Sequence, residues 1–197
     1  MPTKKILTPL LPNCYFHIYN QGNDGDKLFY SRENYRYFMK KYLIYMNSFV
    51  DTYAYCLMGN HFHFLIKVKD RDDVDCNLKV SNQFRKLFQS YALSINIQEG
   101  RSGSLFRKQF RRIEVKNMDY LRRLVFYIHF NPQKHQVVQN FRKYPYSSYH
   151  AIVAGIEDLI IDRQSVISWF NDLEDFINYH DVMHDERLLK MACLEDE

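Results

Sequence analysis

His61 and His63 stand one residue apart in the run HFHFLIKV, an aromatic and β-branched stretch that reads as a strand. Side chains on a strand alternate faces, so the two imidazoles project to one side while Phe62 and Phe64 project to the other. Two imidazoles so placed can chelate one cation, or they can be two partly exposed strand histidines, and the pair alone does not separate these readings. In LRRLVFYIHFNP, Tyr127 and Asn131 are four residues apart, which puts both on one face of a helix with Arg123 one turn earlier. Leu121, Leu124, Val125 and Ile128 make the opposite, packing stripe. Tyr127 can belong to an amphipathic core or carry a reactive hydroxyl, and both readings stay open from spacing alone. His129 points away from Tyr127 and is a weaker ligand candidate than Asn131.

The elements that must position these groups can be read along the chain. CYFHIY, from Cys14, is a first strand ended by the turn-forming NQGNDGD, and residues 27–30 extend it or pair with it. Ser31 is placed to cap a helix reaching about Phe49, with Tyr35, Phe38, Tyr42, Tyr45 and Met46 as its core stripe. YAYCLM and HFHFLIKV are two strands joined at Gly59 and Asn60, a tight hairpin. The charged stretch KDRDDVD leads into a second helix with Phe84, Leu87, Phe88 and Tyr91 on one stripe. GSLFRKQFRRIEV is extended, and Asn117 caps a third helix expected to end near Asn131, because Pro132 disfavours helical geometry in the residue before it. The order is α+β. Its simplest arrangement is a ferredoxin-like antiparallel sheet with helices mainly on one face.

Charge divides the chain. Residues 1–156 hold 24 Lys and Arg against 11 Asp and Glu, a net +13, whereas residues 157–197 hold 3 against 12, a net −9. The expected organisation is one domain over 1–156 and an acidic, helical C-terminal extension over 157–197. The extension is read either as a solvated helical face or as a shield for the basic surface. Arg107, Lys108, Arg111, Arg112 and Arg123 fall in a basic stretch with Phe106 and Phe110 interleaved, the composition of a surface that tracks phosphates and stacks on bases. A solvated edge strand over core phenylalanines is the alternative.

Sixteen tyrosines and fifteen phenylalanines with only six glycines and five prolines exclude a low-complexity chain. Cys14, Cys56, Cys76 and Cys193 form no CxxC pair, so neither a zinc ribbon nor a disulfide framework is indicated. No apolar stretch approaches the roughly 20 residues of a membrane span, and a cytoplasmic protein without membrane partners is expected.

Four segments occur in series: YFHIYNQGNDGDKLF, AYCLMGNHFHFLI, YIHFNPQKHQVV and YPYSSY. Together, over roughly residues 13–150, they resemble the REP-associated tyrosine transposases, a branch of the HUH single-strand endonucleases. The resemblance implies that His61 and His63 are metal ligands, that Tyr127 is the nucleophile, and that Asn131 falls where relatives carry a third, amide ligand. It implies cleavage and rejoining of single-stranded DNA at hairpin-forming repeats through a 5′-phosphotyrosine link. A homodimer is one of the arrangements such relatives adopt. Gly59 stands where a proline is common, and Gln21 where an arginine often follows the first strand. A free tyrosine titrates near pH 10, so a cation beside it helps chiefly by neutralising phosphate charge. Imidazoles alone also suit zinc, but phosphoryl transfer with an amide ligand and open positions points to Mg2+ or Mn2+. Two other functions fit parts of the pattern: a hairpin-binding protein that does not cut, and a zinc hydrolase, which would have no need of Tyr127.

Overall fold

The computed structural model describes residues 8–70, 75–156 and 159–183. Among them, β1 (Tyr15–Gln21), β2 (Val50–Leu57), β3 (His61–Val68) and β4 (Arg111–Val115) form one antiparallel sheet in the order β2-β3-β1-β4. That order, with α1 (Arg32–Met46) between β1 and β2 and α2 (Cys76–Gln98) between β3 and β4, is the ferredoxin-like layout. Part of the charged loop before α2 and residues 184–197 of the acidic extension lie outside the described residues.

Period-two alternation builds the first core layer. Phe16, Ile18, Phe62, Phe64 and Ile66 point from the sheet to the apolar stripes of α1 and α2, where Phe38, Tyr42, Phe84, Leu87 and Tyr91 meet them. Burying each such side chain contributes about 1.5–3 kcal/mol. At the start of α1, Asn34 Oδ1 accepts the backbone N–H groups of Tyr30 (2.9 Å) and Ser31 (3.1 Å), satisfying donors the helix leaves open. The helix ends at Met46, with the last residue of its core stripe and short of the expected end near Phe49. Residues 27–30 form no strand, because the N–H groups of Leu28 and Phe29 donate instead to the Gly59 carbonyl (2.8 and 3.1 Å).

The other sheet face is closed by α3 (Met118–Lys134), and over it by α4 (Tyr149–Ala154), α5 (Arg163–Ser168) and α6 (Leu173–Val182). Asn117 caps α3 as expected, its side chain accepting from Tyr120 N at 2.8 Å. The helix does not stop at Asn131. Pro132 removes only its own N–H, and the last turn is held by His135 N donating to Asn131 O (3.0 Å) and by burial of Phe130, Asn131 and Pro132.

Residues 159–183 pack one side on the domain and leave the acidic Asp172, Glu174, Asp175 and Asp181 exposed on the other. Trp169, Phe170 and Phe176 enter the same apolar cluster as Phe126 and Phe141, so α3 is buried on both sides. YPYSSY fastens this layer to the hairpin. Tyr144 Oη donates to Leu57 O (2.7 Å), Leu57 N donates to Tyr146 O (2.9 Å), and Ser148 N donates to Tyr55 O (3.0 Å). No helix among the described residues is long and apolar enough to cross a membrane.

Candidate active site

The hairpin sets the histidines. Met58 N donates to His61 O (2.8 Å) across Gly59 and Asn60, which starts β3 at His61 and sends His61, His63 and Leu65 toward α3. The two imidazole centroids lie 5.2 Å apart, nearly perpendicular. From α3, Asn131 reaches His61, with Oδ1 3.0 Å from Nε2. Tyr127 lies edge-on to His63, ring centroids 5.6 Å apart, with Lys134 Nζ 4.9 Å from its own ring centre. The four residues singled out in the sequence are therefore gathered at one point.

His61 carries an oxygen acceptor at each ring nitrogen: Asn60 Oδ1 at 2.8 Å from Nδ1 and Asn131 Oδ1 at 3.0 Å from Nε2. A neutral imidazole has one N–H, so it can donate to only one of them. With Asn60 taking that proton, Nε2 and Asn131 Oδ1 are two lone-pair donors facing each other, and Asn131 Nδ2 is buried without a partner. Neighbouring ligands in an octahedral shell of about 2.1 Å radius sit about 3 Å apart, so a divalent cation fits this pair. His63 is 6% exposed, and desolvation, then the neighbouring His17, His61, His135 and Lys134, push its pKa well below the usual histidine value. It is thus neutral, as a ligand must be. Its Nδ1 lies 2.9 Å from His17 Nε2, and with Nδ1–H donating there, the unprotonated nitrogen is Nε2. The fit rests on two imidazoles and an amide, since among the described residues no group of three or more His, Cys, Asp and Glu is placed to hold a metal.

A cavity of about 910 Å³ opens over this cluster. His61, His63 and the exposed His135 line it together with Lys27, Arg107 and Arg111, with no Asp or Glu in the lining. Tyr127, 2% exposed, and Asn131, 0% exposed, are not among the lining residues and lie one layer behind.

The basic residues named from sequence divide between surfaces. Arg111 pairs with Tyr19 across β1 and β4 and faces the cavity with Arg107, whereas Arg112, next along β4, points to the opposite face and donates to Ser81 Oγ (2.8 Å). Lys108 is exposed beside Arg112's side of the sheet. Arg123 is half-buried near Tyr179 of α6 and does not line the cavity, because that flank of α3 is covered by the C-terminal helices.

Sequence reasoning passed over His17, His135 and Lys134. Lys134 was recoverable, being seven residues and two turns from Tyr127 on one face. His17 was not, because its role depends on β1 pairing with β3, which sets Tyr19 opposite His63. His129 does turn away from the site: it is fully buried, with Nδ1 3.0 Å from His180 Nε2 and Nε2 2.8 Å from Ser148 Oγ.

No family model matches the chain. A curated Haemophilus influenzae protein described as "Putative REP-associated tyrosine transposase" is 26% identical over 105 residues, covering 51% of this chain and 59% of that protein. A solved structure described as a REP-associated tyrosine transposase bound to a REP hairpin superposes with a TM-score of 0.61 at 18% identity, covering 81% of this chain and 90% of that one. The chain is thus similar in sequence, over about half its length, to a protein described as a REP-associated tyrosine transposase, and it shares the fold of a solved one. It spans 59% of the length of the curated relative it matches.

Two positions depart from the pattern of these transposases, and both are accommodated. At Gly59 an added Cβ would meet nothing within 4 Å, so the turn neither requires glycine nor crowds a larger residue. The Gln21 amide lies against the Arg107 guanidinium, and with its oxygen turned toward Arg107 it accepts from Nε (2.6 Å) and Nη1 (2.8 Å), so a residue far along the chain supplies a guanidinium at this point of the cavity.

Proposed function

We propose that the chain cleaves and rejoins single-stranded DNA at hairpin-forming repeats, as a transposase or a host-adopted relative. The observation that carries this reading is the convergence of Tyr127, His61, His63 and Asn131 beside a basic cavity without carboxylates. The solved relative's hairpin ligand supports the substrate class.

In this reading Lys27, Arg107 and Arg111 hold the strand by its phosphates and set its register. His61, His63 and Asn131 would hold Mg2+ or Mn2+, which supplies neutralisation of phosphate charge and polarisation of the scissile bond. Tyr127 Oη attacks phosphorus, the bond to the 3′ oxygen breaks, the phenolic proton passes to solvent and the departing oxygen takes one up. The product is a 5′-phosphotyrosine with a free 3′-hydroxyl, and attack by a 3′-hydroxyl reverses it without ATP. His17 keeps His63 in the tautomer that offers Nε2, and Lys134 sets a positive charge beside the Tyr127 ring.

A second reading, hairpin binding without cutting, draws on one observation: Tyr127 is buried and is not a wall of the cavity. Incubating the protein with a hairpin-bearing single strand and Mn2+ separates the two. Cleavage leaving a 3′-hydroxyl, abolished by EDTA, is the expected result; an intact strand bound with unchanged affinity in EDTA favours binding alone.

A further inference from the structure

A second depression, of about 630 Å³, lies on the other side of the 103–112 segment. Arg85 and Gln89, exposed and one turn apart on α2, form one wall, and Lys108 and Arg112 form the other over a floor that includes Phe106 and Phe110. Asn20, Arg107 and Gln109 line both this depression and the catalytic cavity, so the two are continuous over the 107–109 backbone. Neither is lined by an acidic side chain. Strand alternation feeds both, sending Arg111 into the first and Arg112 into the second.

Arg112 is incompletely satisfied there. Its Nη1 donates to Ser81 Oγ (2.8 Å) and its guanidinium lies 4.7 Å from the Phe110 ring centre, but Nε is buried with no partner. Burial also lowers its pKa, so a half-desolvated cation faces a groove that holds no counter-charge of the protein's own. Such a groove favours an anion, and its length and continuity with the catalytic cavity favour a polyanion over a single ion.

We propose that this groove holds single-stranded DNA flanking the segment in the catalytic cavity. The strand crosses the ridge at 107–109, with phosphates toward Arg107 and Lys108 on the crest and toward Arg85 and Arg112 beyond it. The inference rests on the reading of the chain as a single-strand DNA enzyme and extends it from one cavity to a two-groove path.

The test uses repeat hairpins labelled for anisotropy, either bare or carrying about ten unpaired nucleotides on the 5′ or the 3′ side. At low salt, one of the two flanks is expected to tighten binding to the wild-type chain about tenfold. Arg85→Glu combined with Gln89→Glu changes two exposed positions outside the catalytic cluster. It should erase that gain and flatten the salt dependence by about 0.7 in log–log slope for every phosphate the groove no longer neutralises. Binding of the bare hairpin should be unchanged. A variant that keeps the full flank gain, or a wild type that gains from neither flank, overturns the groove and leaves the enzymatic reading standing. A wild type that binds no hairpin overturns both.

Discussion

The Nε2 of His61 and the Oδ1 of Asn131 lie 3.0 Å apart, one at the head of a hairpin strand and the other near the end of a helix across the sheet face. Nothing local requires this approach. It leaves Asn131 Nδ2 buried and unpaired, a cost of about 1–3 kcal/mol for an amide taken out of water. Asn131→Leu keeps the heavy-atom count and branching and removes that cost, so thermal unfolding should occur near or above the wild-type temperature. Mn2+ affinity by titration calorimetry should fall at least tenfold. Unchanged Mn2+ binding would remove Asn131 from the ligand set.

His17 lies 2.9 Å from His63, and its ring stands edge-on to Tyr127 with centroids 6.3 Å apart; it acts as a positioning residue. His17→Ala should weaken Mn2+ binding about 10- to 100-fold, the usual effect of removing a partner behind a metal ligand. Raising Mn2+ should then restore strand cleavage by mass action. Cleavage that stays absent at saturating Mn2+ would give His17 a different role.

Arg107 and Arg111 line the cavity, whereas Arg123 packs near Tyr179. Replacing both cavity arginines by alanine should weaken hairpin binding and reduce the log–log salt slope by about 1.4, two single-strand phosphates at about 0.7 each. Arg123→Ala should leave affinity and slope within error of wild type. An equal weakening by Arg123→Ala would place the DNA over α3 instead.

His129 is fully buried, and its pKa lies well below the ordinary histidine value through desolvation and then through His180. The folded state therefore binds fewer protons than the unfolded one below the unfolded pKa of about 6.5, and stability is lost as pH falls through that range. The slope is about 1.4 kcal/mol per pH unit for each such histidine. Urea midpoints at pH 7.5 and 5.5 should show the loss, and His129→Leu with His180→Leu should reduce it. An equal pH dependence in the double variant would assign the effect elsewhere, His63 being another buried imidazole whose pKa is lowered.

What the sequence made legible was periodic. His61 and His63 could be assigned to one face by a period of two, Tyr127 and Asn131 to another by a spacing of four, and the order of elements matched the observed sheet. That these two faces meet depends on β3 lying beside β1 under α3, a non-local fact carried only by the family resemblance. His17 was illegible for the same reason: in CYFHIY every neighbour is apolar or aromatic, and only strand pairing gives its ring a partner. The burial of Tyr127, one of the two readings its spacing left open, follows from α3 packing on the sheet, where its ring meets His17 and His63, while the acidic C-terminal segment sends Trp169, Phe170 and Phe176 into the same apolar cluster. Charge there describes the outer face, while the aromatic spacing describes the inner one.

A covalent bond from Tyr127 Oη to DNA is the step on which the proposed mechanism turns. The most direct measurement incubates wild-type protein and Tyr127→Phe with a repeat hairpin and Mn2+, resolves the products under denaturing conditions, and identifies the modified peptide by mass spectrometry. Tyr127→Phe differs by one buried oxygen, so its fold and hairpin affinity should match wild type. The wild-type chain should yield an adduct on the peptide containing Tyr127, and the variant none. An adduct that persists in Tyr127→Phe, or that maps to another tyrosine such as the cavity-lining Tyr19 or Tyr146, would contradict the assignment.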